Sequence, residues 1–327
     1  MARKLRLEFP GACYHVLNRG NYRAQVFSDE KTRVAFEECL LEACQKSNWL
    51  LHAFVVMSNH YHLAIETPDG NLVAGMQWLQ ATFANRFNRF RSERGHLFQG
   101  RYKSLLVEPG EALGQVCHYL HLNPVRANLM SVAQLRTYRA SSYWHLWQRR
   151  RPESFRPLTA LAEAGGLTDT PAGREAYEDY LTWQATEGPA GKSKAYVSMS
   201  RGWALGTKDF RTALIQDYNL AESSRAWEDS GAREMREARW TATLNRGLKL
   251  LGKTREDVSK DRKSAPWKVA LAASLKQLTQ VNNRWLSDEL CMGTPVAVSS
   301  HVGRMARGLI PAAAKPQLRL KTLIVKT

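Results

Sequence analysis

Along the first ~145 residues the apolar positions switch repeatedly between the two-residue alternation of strands and the three-to-four spacing of helices. Cys13 to Leu17 reads as a short strand, closed by the turn-forming run Asn18-Arg19-Gly20-Asn21. From Asp29 to about Lys46 the spacing of Phe36, Leu40 and Ala43 predicts a helix, with Ser28 or Asp29 as its N-cap. Leu51 to Met57 and His60 to Glu66 are β-rich runs separated only by Ser58-Asn59, the signature of a hairpin. Leu72, Met76, Leu79, Phe83, Phe87 and Phe90 then form the stripe of a long amphipathic helix. Arg101 to Val107 supplies a fourth strand, and Leu113, Val116, Cys117 and Leu120 mark a helix after Pro109-Gly110. The order β-α-β-β-α-β-α predicts an α+β fold, a ferredoxin-like split βαβ sheet with helices on one face.

The pattern weakens near Arg149-Arg150-Arg151-Pro152, which places a first domain at 1–147. Residues 148–262 read as a linker and helical region with no clear chemistry, including a loop at Glu187-Gly188-Pro189-Ala190-Gly191. Residues 263–327 read as a second helical region, starting near Pro266. Within it Asn283 to Arg304 has the outline of a helix-turn-helix: Leu286, Leu290, Val298 and Val302 supply packing positions and Gly293 the turn. A plain helical hairpin fits the same pattern, because the turn is one residue longer than the tightest version.

Charge adds a partner class. Lys and Arg total 47 against 30 Asp and Glu, and the resulting +17 points to a polyanion, nucleic acid before an anionic membrane surface. No apolar run approaches the roughly 20 residues that span a bilayer. No apolar segment follows the basic N-terminus as a signal peptide would require. Five cysteines without metal-like pairing fit a reducing compartment, so the expected location is the cytoplasm, at the nucleoid.

The candidate chemistry starts at His60-Tyr61-His62. Side chains alternate along a strand, so the two imidazoles share one face about 7 Å apart and form a two-pronged clamp for a divalent metal. Alone, such a pair is more often a surface or hydrogen-bonded pair. In the run from Cys117 to Ala127, Gln115, Tyr119 and Asn123 form an i, i+4, i+8 row beside the apolar stripe. Pro124 disfavours helical geometry at the residue before it, which puts Asn123 at the helix end. A half-buried tyrosine bracing helix against sheet is the plainer account of Tyr119 taken by itself. No Gly-x-x-x-x-Gly-Lys-Ser/Thr loop is present.

Taken together, Met57-Ser58-Asn59-His60-Tyr61-His62-Leu63 and Tyr119-x-x-x-Asn123-Pro124-Val125-Arg126-Ala127 resemble the single-tyrosine HUH transposases, and within them the REP-associated tyrosine transposases of bacteria. The likeness extends to Phe9 through Asn21 and to Leu97 through Lys103, and covers about residues 5–147. It implies that His60, His62 and Asn123 hold Mg²⁺ or Mn²⁺, with Mn²⁺ the better match to imidazole. It further implies that Tyr119 attacks the scissile phosphate of single-stranded DNA, giving a 5′-phosphotyrosine and a free 3′-hydroxyl. A phenol ordinarily ionises near about pH 10, so the attack needs deprotonation. The implied function is a site-specific single-strand endonuclease and strand transferase acting at hairpin repeats that flank its gene. Dimers that exchange the tyrosine helix and monomers both occur among such enzymes, so a homodimer stays open. A domesticated DNA-binding protein or transcriptional regulator without catalysis is the alternative. A metal-dependent RNA endonuclease that does not use Tyr119 is a third.

For DNA contacts, Arg86, Arg89, Arg101 and Lys103 lie in a basic stretch with aromatic residues, where guanidiniums follow phosphates and exposed rings stack on unpaired bases. The helix phenylalanines read as core, which leaves Phe98 and Tyr102 as the stacking candidates. Arg19 and Asn18 in the first turn, Arg126 and, in the C-terminal region, Arg304 complete the DNA-binding expectation. A further basic-aromatic run covers Arg136 to Arg151. His15, His118 and His121 are read as structural, and Glu66 and Glu108 have no assignable role.

Overall fold

The computed structural model describes residues 6–186, 199–200, 202–217, 233–279 and 281–324. The loop expected at Glu187 to Gly191 lies outside them. The chain divides into two compact units, Met1–Arg211 and Thr212–Thr327.

The first unit is built on strands β1 (Ala12–Arg19), β2 (Leu50–Val56), β3 (His60–Thr67), β4 (Lys103–Val107) and β5 (Ala204–Leu205). They form one sheet in the order β2-β3-β1-β4-β5. The first four are antiparallel neighbours, as the split βαβ plan requires, and β5 adds in parallel to β4. Helices α1 (Glu30–Ser47) and α2 (Leu72–Arg91) connect β1 to β2 and β3 to β4, and α3 (Glu111–His121) follows β4. The β2–β3 turn is as tight as expected, with the Met57 amide donating to the His60 carbonyl at 2.8 Å.

The two faces of the sheet bury different side chains. On one, Phe27, Phe36, Tyr61, Phe83 and Phe98 form an aromatic core under α1 and α2; the Phe36 and Tyr61 rings are 4.6 Å apart. On the other, Ala53, Val55, Ala64 and Val107 pack with Leu113, Val116, Cys117 and Leu120 of α3. The expectation of helices on one face therefore holds for α1 and α2 and not for α3, whose apolar stripe needs the opposite face.

Asp29 is the N-cap of α1: its Oδ1 accepts the Thr32 amide at 2.7 Å. That bond, together with Arg91 nearby, holds the Asp29 carboxyl below its ordinary pKa. A depressed carboxyl contributes stability above its unfolded pKa and loses it as pH falls through the folded one. Asp29→Ala is expected to cost about 1 kcal/mol at neutral pH, read by urea denaturation, with the gap to wild type closing on acidification.

The unit does not end near 147. Helices α4 (Asn123–Arg126), α5 (Ser142–Leu146), α6 (Leu158–Glu163) and α7 (Pro171–Thr186) follow, and α8 (Lys208–Asp217) runs across the division at Arg211. Phe155, Leu161, Tyr177 and Leu181 are buried in the same core as α3. Gly114 of α3 lets α6 approach, since a Cβ there would fall 2.3 Å from the Glu163 Cβ. Behind α3, the Tyr177 hydroxyl is shared by His118 Nδ1 and His121 Nδ1, each at 2.8 Å, and Glu163 takes His118 Nε2. The boundary expected at 147 thus cuts through one core. Short polar helices gave no sign in the sequence that their few apolar residues close the α3 face.

In the second unit, α9 (Arg233–Leu251), α10 (Arg255–Lys260), α11 (Pro266–Leu278), α12 (Asn283–Glu289), α13 (Pro295–Ala306) and α14 (Ala314–Ile324) surround one apolar core. The boundary expected at 262 also falls inside a unit, because Trp240, Leu244 and Leu248 of α9 belong to that core. Lys268 in the central helix is buried, and its Nζ donates to the Val258 and Asp261 carbonyls at the end of α10. Leu286, Leu290 and Val298 are buried between α12 and α13, and Gly293 takes the left-handed conformation in the turn joining them. Among the described residues no helix is long and apolar enough to cross a membrane.

Candidate metal and tyrosine site

His60 and His62 share the α3 face of β3, with ring centres 5.0 Å apart and planes at 82°. Their orientation is fixed from behind. His60 Nδ1 lies 2.6 Å from Asn59 Oδ1, and His62 Nδ1 lies 2.9 Å from His15 Nε2. His15 Nδ1 in turn lies 2.6 Å from the Met199 carbonyl oxygen. A carbonyl can only accept, so His15 carries its proton on Nδ1 and accepts at Nε2 from the Nδ1–H of His62. The same reasoning makes His60 Nδ1 the donor to Asn59. Both strand histidines therefore keep the lone pair on Nε2, which is the tautomer a metal needs.

Electrostatics support that state. Burial, then the neighbouring Arg19, lowers the His60 pKa to about 4. Burial, then His15, His60, Arg19 and Arg126, holds His62 well below the ordinary imidazole range. His15 is lowered to about 4 by burial, with Lys103 adding to the effect and the Met199 carbonyl opposing it. Strand pairing explains the cations: Arg19 is opposite His60, and Lys103 is opposite Leu17, itself opposite His62. Neutral donors ringed by fixed positive charge favour a phosphate-bearing ligand.

Helix α3 brings Tyr119 onto these histidines. Its ring is edge-on to His62 at 5.7 Å and to His15 at 5.8 Å, and 7% of the residue is exposed. The Arg126 guanidinium lies 5.1 Å from the centre of the same ring. Asn123 is buried one turn further on. In keeping with the helix end expected there, α3 stops at His121 with Leu122 as its C-cap, and Asn123 opens the short helix α4, its carbonyl accepting the Ala127 amide at 3.0 Å. Pro124 is accommodated as an early residue of α4, where its missing N–H costs little. Gln115, on the same row, is turned away and donates to Glu163.

The expected DNA-contacting residues separate into groups. Arg19 and Arg126 act on the histidine pair and Lys103 on His15 behind it, and all three are exposed. Asn18 is buried and structural: its Nδ2 donates to the Gly100 carbonyl at 3.2 Å and its Oδ1 caps the Arg19 amide at 2.8 Å. Arg86 is paired with Glu42 at 2.9 Å. Arg89 and Arg101 are exposed, and Arg101 lines a cleft of about 570 Å³ between α2 and the 95–101 loop. Arg304 is exposed on α13 in the second unit. In the Arg136 to Arg151 run, Arg136 pairs with Glu178 and Arg151 with Asp169, so those two arginines brace α7 and its approach.

The stacking candidates are corrected. Phe98 belongs to the aromatic core, and Tyr102 is buried beneath the Arg6 guanidinium, 3.7 Å from its ring centre. Among the described residues the most exposed rings are Tyr22 at 93% and Phe90 at 79%. Helical spacing counts Phe90 into the apolar stripe, yet the last turn of α2, from Arg89 to Arg91, is exposed. Tyr22 is in the left-handed region (φ 49°) within the turn after β1, beside Arg19 and Arg23. A bulky residue at positive φ and nearly full exposure is uncommon, but nothing in the sequence marks that conformation. His15 was read as structural because periodicity cannot show a cross-strand ring contact.

Residues 9–123 match the family model described as transposase IS200-like. The structure is similar to that of a REP-associated tyrosine transposase bound to a REP hairpin, at 16% identity and a TM-score of 0.37, over 44% of this chain and 84% of that one. It is also similar to a crystal structure from Deinococcus radiodurans R1 provisionally described as a transposase, at 21% identity and a TM-score of 0.28, over 40% of this chain and 99% of that one. No curated protein matches the sequence.

Proposed function

We propose, from the premise that residues 9–123 form an IS200-like transposase domain, that the protein is a metal-dependent, site-specific single-strand DNA endonuclease and strand transferase acting at hairpin repeats. The observation that carries this reading is the edge-on packing of Tyr119 against His62, 5.7 Å away, beside two imidazoles whose Nε2 lone pairs are directed by bonds behind them.

The donor set fits a divalent ion: two neutral imidazoles, with the Asn123 amide as a third donor from the helix. Mg²⁺ or Mn²⁺ bound there would polarise a scissile phosphate and balance the charge that develops on it. The chain's own groups do the rest. Arg19, Lys103 and Arg126 draw the DNA backbone to the site. Tyr119 attacks phosphorus, so that a Tyr Oη–P bond forms as the P–O3′ bond breaks. The phenolic proton is lost and the departing 3′-oxygen gains one, leaving a 5′-phosphotyrosine and a 3′-hydroxyl. Rejoining is the reverse transesterification, and the ester bond energy is kept in the covalent link. The exposed α13 and Arg304 add duplex or hairpin affinity from the second unit.

The reading is tested with end-labelled single-stranded DNA carrying hairpin repeats that flank the gene. Cleavage is expected with Mn²⁺ or Mg²⁺, absent with EDTA, and absent from His62→Ala. Cleavage that continues in EDTA, or in His62→Ala, would sink it.

Two more results follow from the geometry. His15→Ala removes the acceptor that orients His62, so Mn²⁺ affinity should fall about 10- to 100-fold by calorimetry. Unchanged affinity would show that His62 needs no support. Tyr22→Ala removes the most exposed ring beside the cationic rim, and single-strand affinity should fall by about 1–3 kcal/mol in a fluorescence anisotropy titration. No loss would take Tyr22 out of the DNA path.

A further inference from the structure

Four residues along β3 from His62, on the same face of the sheet, Glu66 meets two other donors. Cys13 is its direct cross-strand partner on β1. His52 comes from β2, where the register shifts between Leu51 and Ala53 and the extra residue re-aims the side chain toward that face. One donor atom from each of Cys13, His52 and Glu66 lies within 4.8 Å of the others. At about 3.3 Å per residue the cluster is about 13 Å along the strand from His62, too far to share an ion with it.

We propose that Cys13, His52 and Glu66 form a second metal site, which takes a borderline divalent ion of the Zn²⁺ type. The His52 ring carries the argument. Its Nδ1 is 2.7 Å from the Thr159 hydroxyl, and burial lowers its pKa to about 4, so the imidazole is neutral near pH 7. Its Nε2 is buried, makes no hydrogen bond, and faces the Glu66 carboxylate at 3.3 Å. A neutral imidazole directed at a carboxylate without a hydrogen bond leaves a buried polar atom unsatisfied, which is unfavourable. A cation between the two removes that cost.

The set of thiolate, imidazole and carboxylate is the mixture that Zn²⁺ prefers and that Mg²⁺, which favours oxygen, does not. Donors around a tetrahedral ion stand roughly 3.3–3.8 Å apart, so binding draws atoms that lie within 4.8 Å of one another together by about 1.5 Å at most. Cys13 enters as a thiol, whose pKa burial and Glu66 push up to about 12. Metal binding therefore releases one proton to water, and the thiolate and carboxylate together neutralise the ion. A fourth position opens on a cleft of about 750 Å³ that Glu111 and Glu163 also line, which gives the ion a way in and a place for water. With Thr159 on α6 behind His52, the ion would tie three strands to the segment that follows residue 147.

The test uses the full chain with His60→Ala and His62→Ala, which removes the first site, and Co²⁺ alone as the probe. Co²⁺ bound to a thiolate gives a sulfur-to-metal charge-transfer band in the near ultraviolet. The band is expected in this double variant at one ion per chain, lost on adding Cys13→Ser, and at least tenfold weaker in apparent affinity on adding Glu66→Gln, which keeps shape and removes charge. Cys291 is the exposed cysteine and supplies the control. Absence of the band in a folded double variant would overturn the proposal, as would a band that survives Cys13→Ser and disappears with Cys291→Ser. Circular dichroism of each variant confirms that it is folded, and Glu66→Gln keeps the test open if Cys13→Ser is not. The outcome is independent of DNA cleavage, so failure here leaves the proposed function standing.

Discussion

Tyr119→Phe should lower cleavage of the hairpin substrate by on the order of 10³-fold or more, because the variant lacks the hydroxyl that forms the covalent bond in the proposed reaction. The ring itself remains, with its edge contacts to His62 and His15 and the guanidinium of Arg126 beside it. Metal affinity and DNA affinity should therefore stay within about twofold of wild type, since a lost hydroxyl leaves packing nearly unchanged. That separation of binding from chemistry is the informative part, and single-turnover kinetics on labelled DNA beside an anisotropy titration measures both. A variant that still cuts at the wild-type rate would move the reaction to a water nucleophile, the behaviour of a metal-dependent nuclease that does not use Tyr119.

The second large effect concerns the limits of the catalytic unit. A chain ending at Trp147 should fail to fold, whereas one ending at Arg211 should melt cooperatively. The shorter chain lacks Phe155, Leu161, Tyr177 and Leu181, all buried against the α3 face. Four such side chains are worth roughly 6–12 kcal/mol of burial, comparable with the roughly 5–15 kcal/mol that holds a whole domain folded. His118 and His121 also lose the Tyr177 hydroxyl, and His118 loses Glu163. Tyr177→Phe isolates the polar share, and should cost about 1–3 kcal/mol for each buried imidazole Nδ1 left unpaired. Thermal melts by circular dichroism decide the matter. A native-like cooperative transition in the 1–147 chain would show that the later helices are dispensable.

These cases show why some of the molecule is legible in its sequence and some is not. The four main strands and three helices of the split βαβ plan follow from periodicity, because each has a run of apolar positions long enough to define a face. The tight turn at Ser58-Asn59 and the cap at Asp29 follow from local chemistry. The pairing of His60 with His62 follows from strand alternation, and Tyr119 and Asn123 follow from helical spacing together with the family likeness. What stays hidden depends on contacts between distant segments. The two-residue β5 carries no pattern, and α6 and α7 contribute single buried residues within polar stretches. The bond from His15 to His62 requires the cross-strand register, and His52 faces the sheet's α3 side only because of a bulge. Phe98, expected as a stacking face, is core, and Tyr22, which the spacing does not single out, is exposed, for the same reason: exposure is set by what lies opposite, which spacing alone does not state.

The proposed reaction leaves Tyr119 covalently linked to the 5′ end of cut DNA. The most direct measurement is peptide mapping by mass spectrometry after incubation of the full chain with Mn²⁺ and single-stranded DNA carrying the flanking hairpin repeats. The account predicts a nucleotide-modified peptide containing Tyr119, absent in EDTA, with a free 3′-hydroxyl on the released strand. Tight, salt-sensitive binding of the same DNA with no modified peptide under either metal would contradict it, and would identify the protein as a DNA-binding regulator that has kept the site without the reaction.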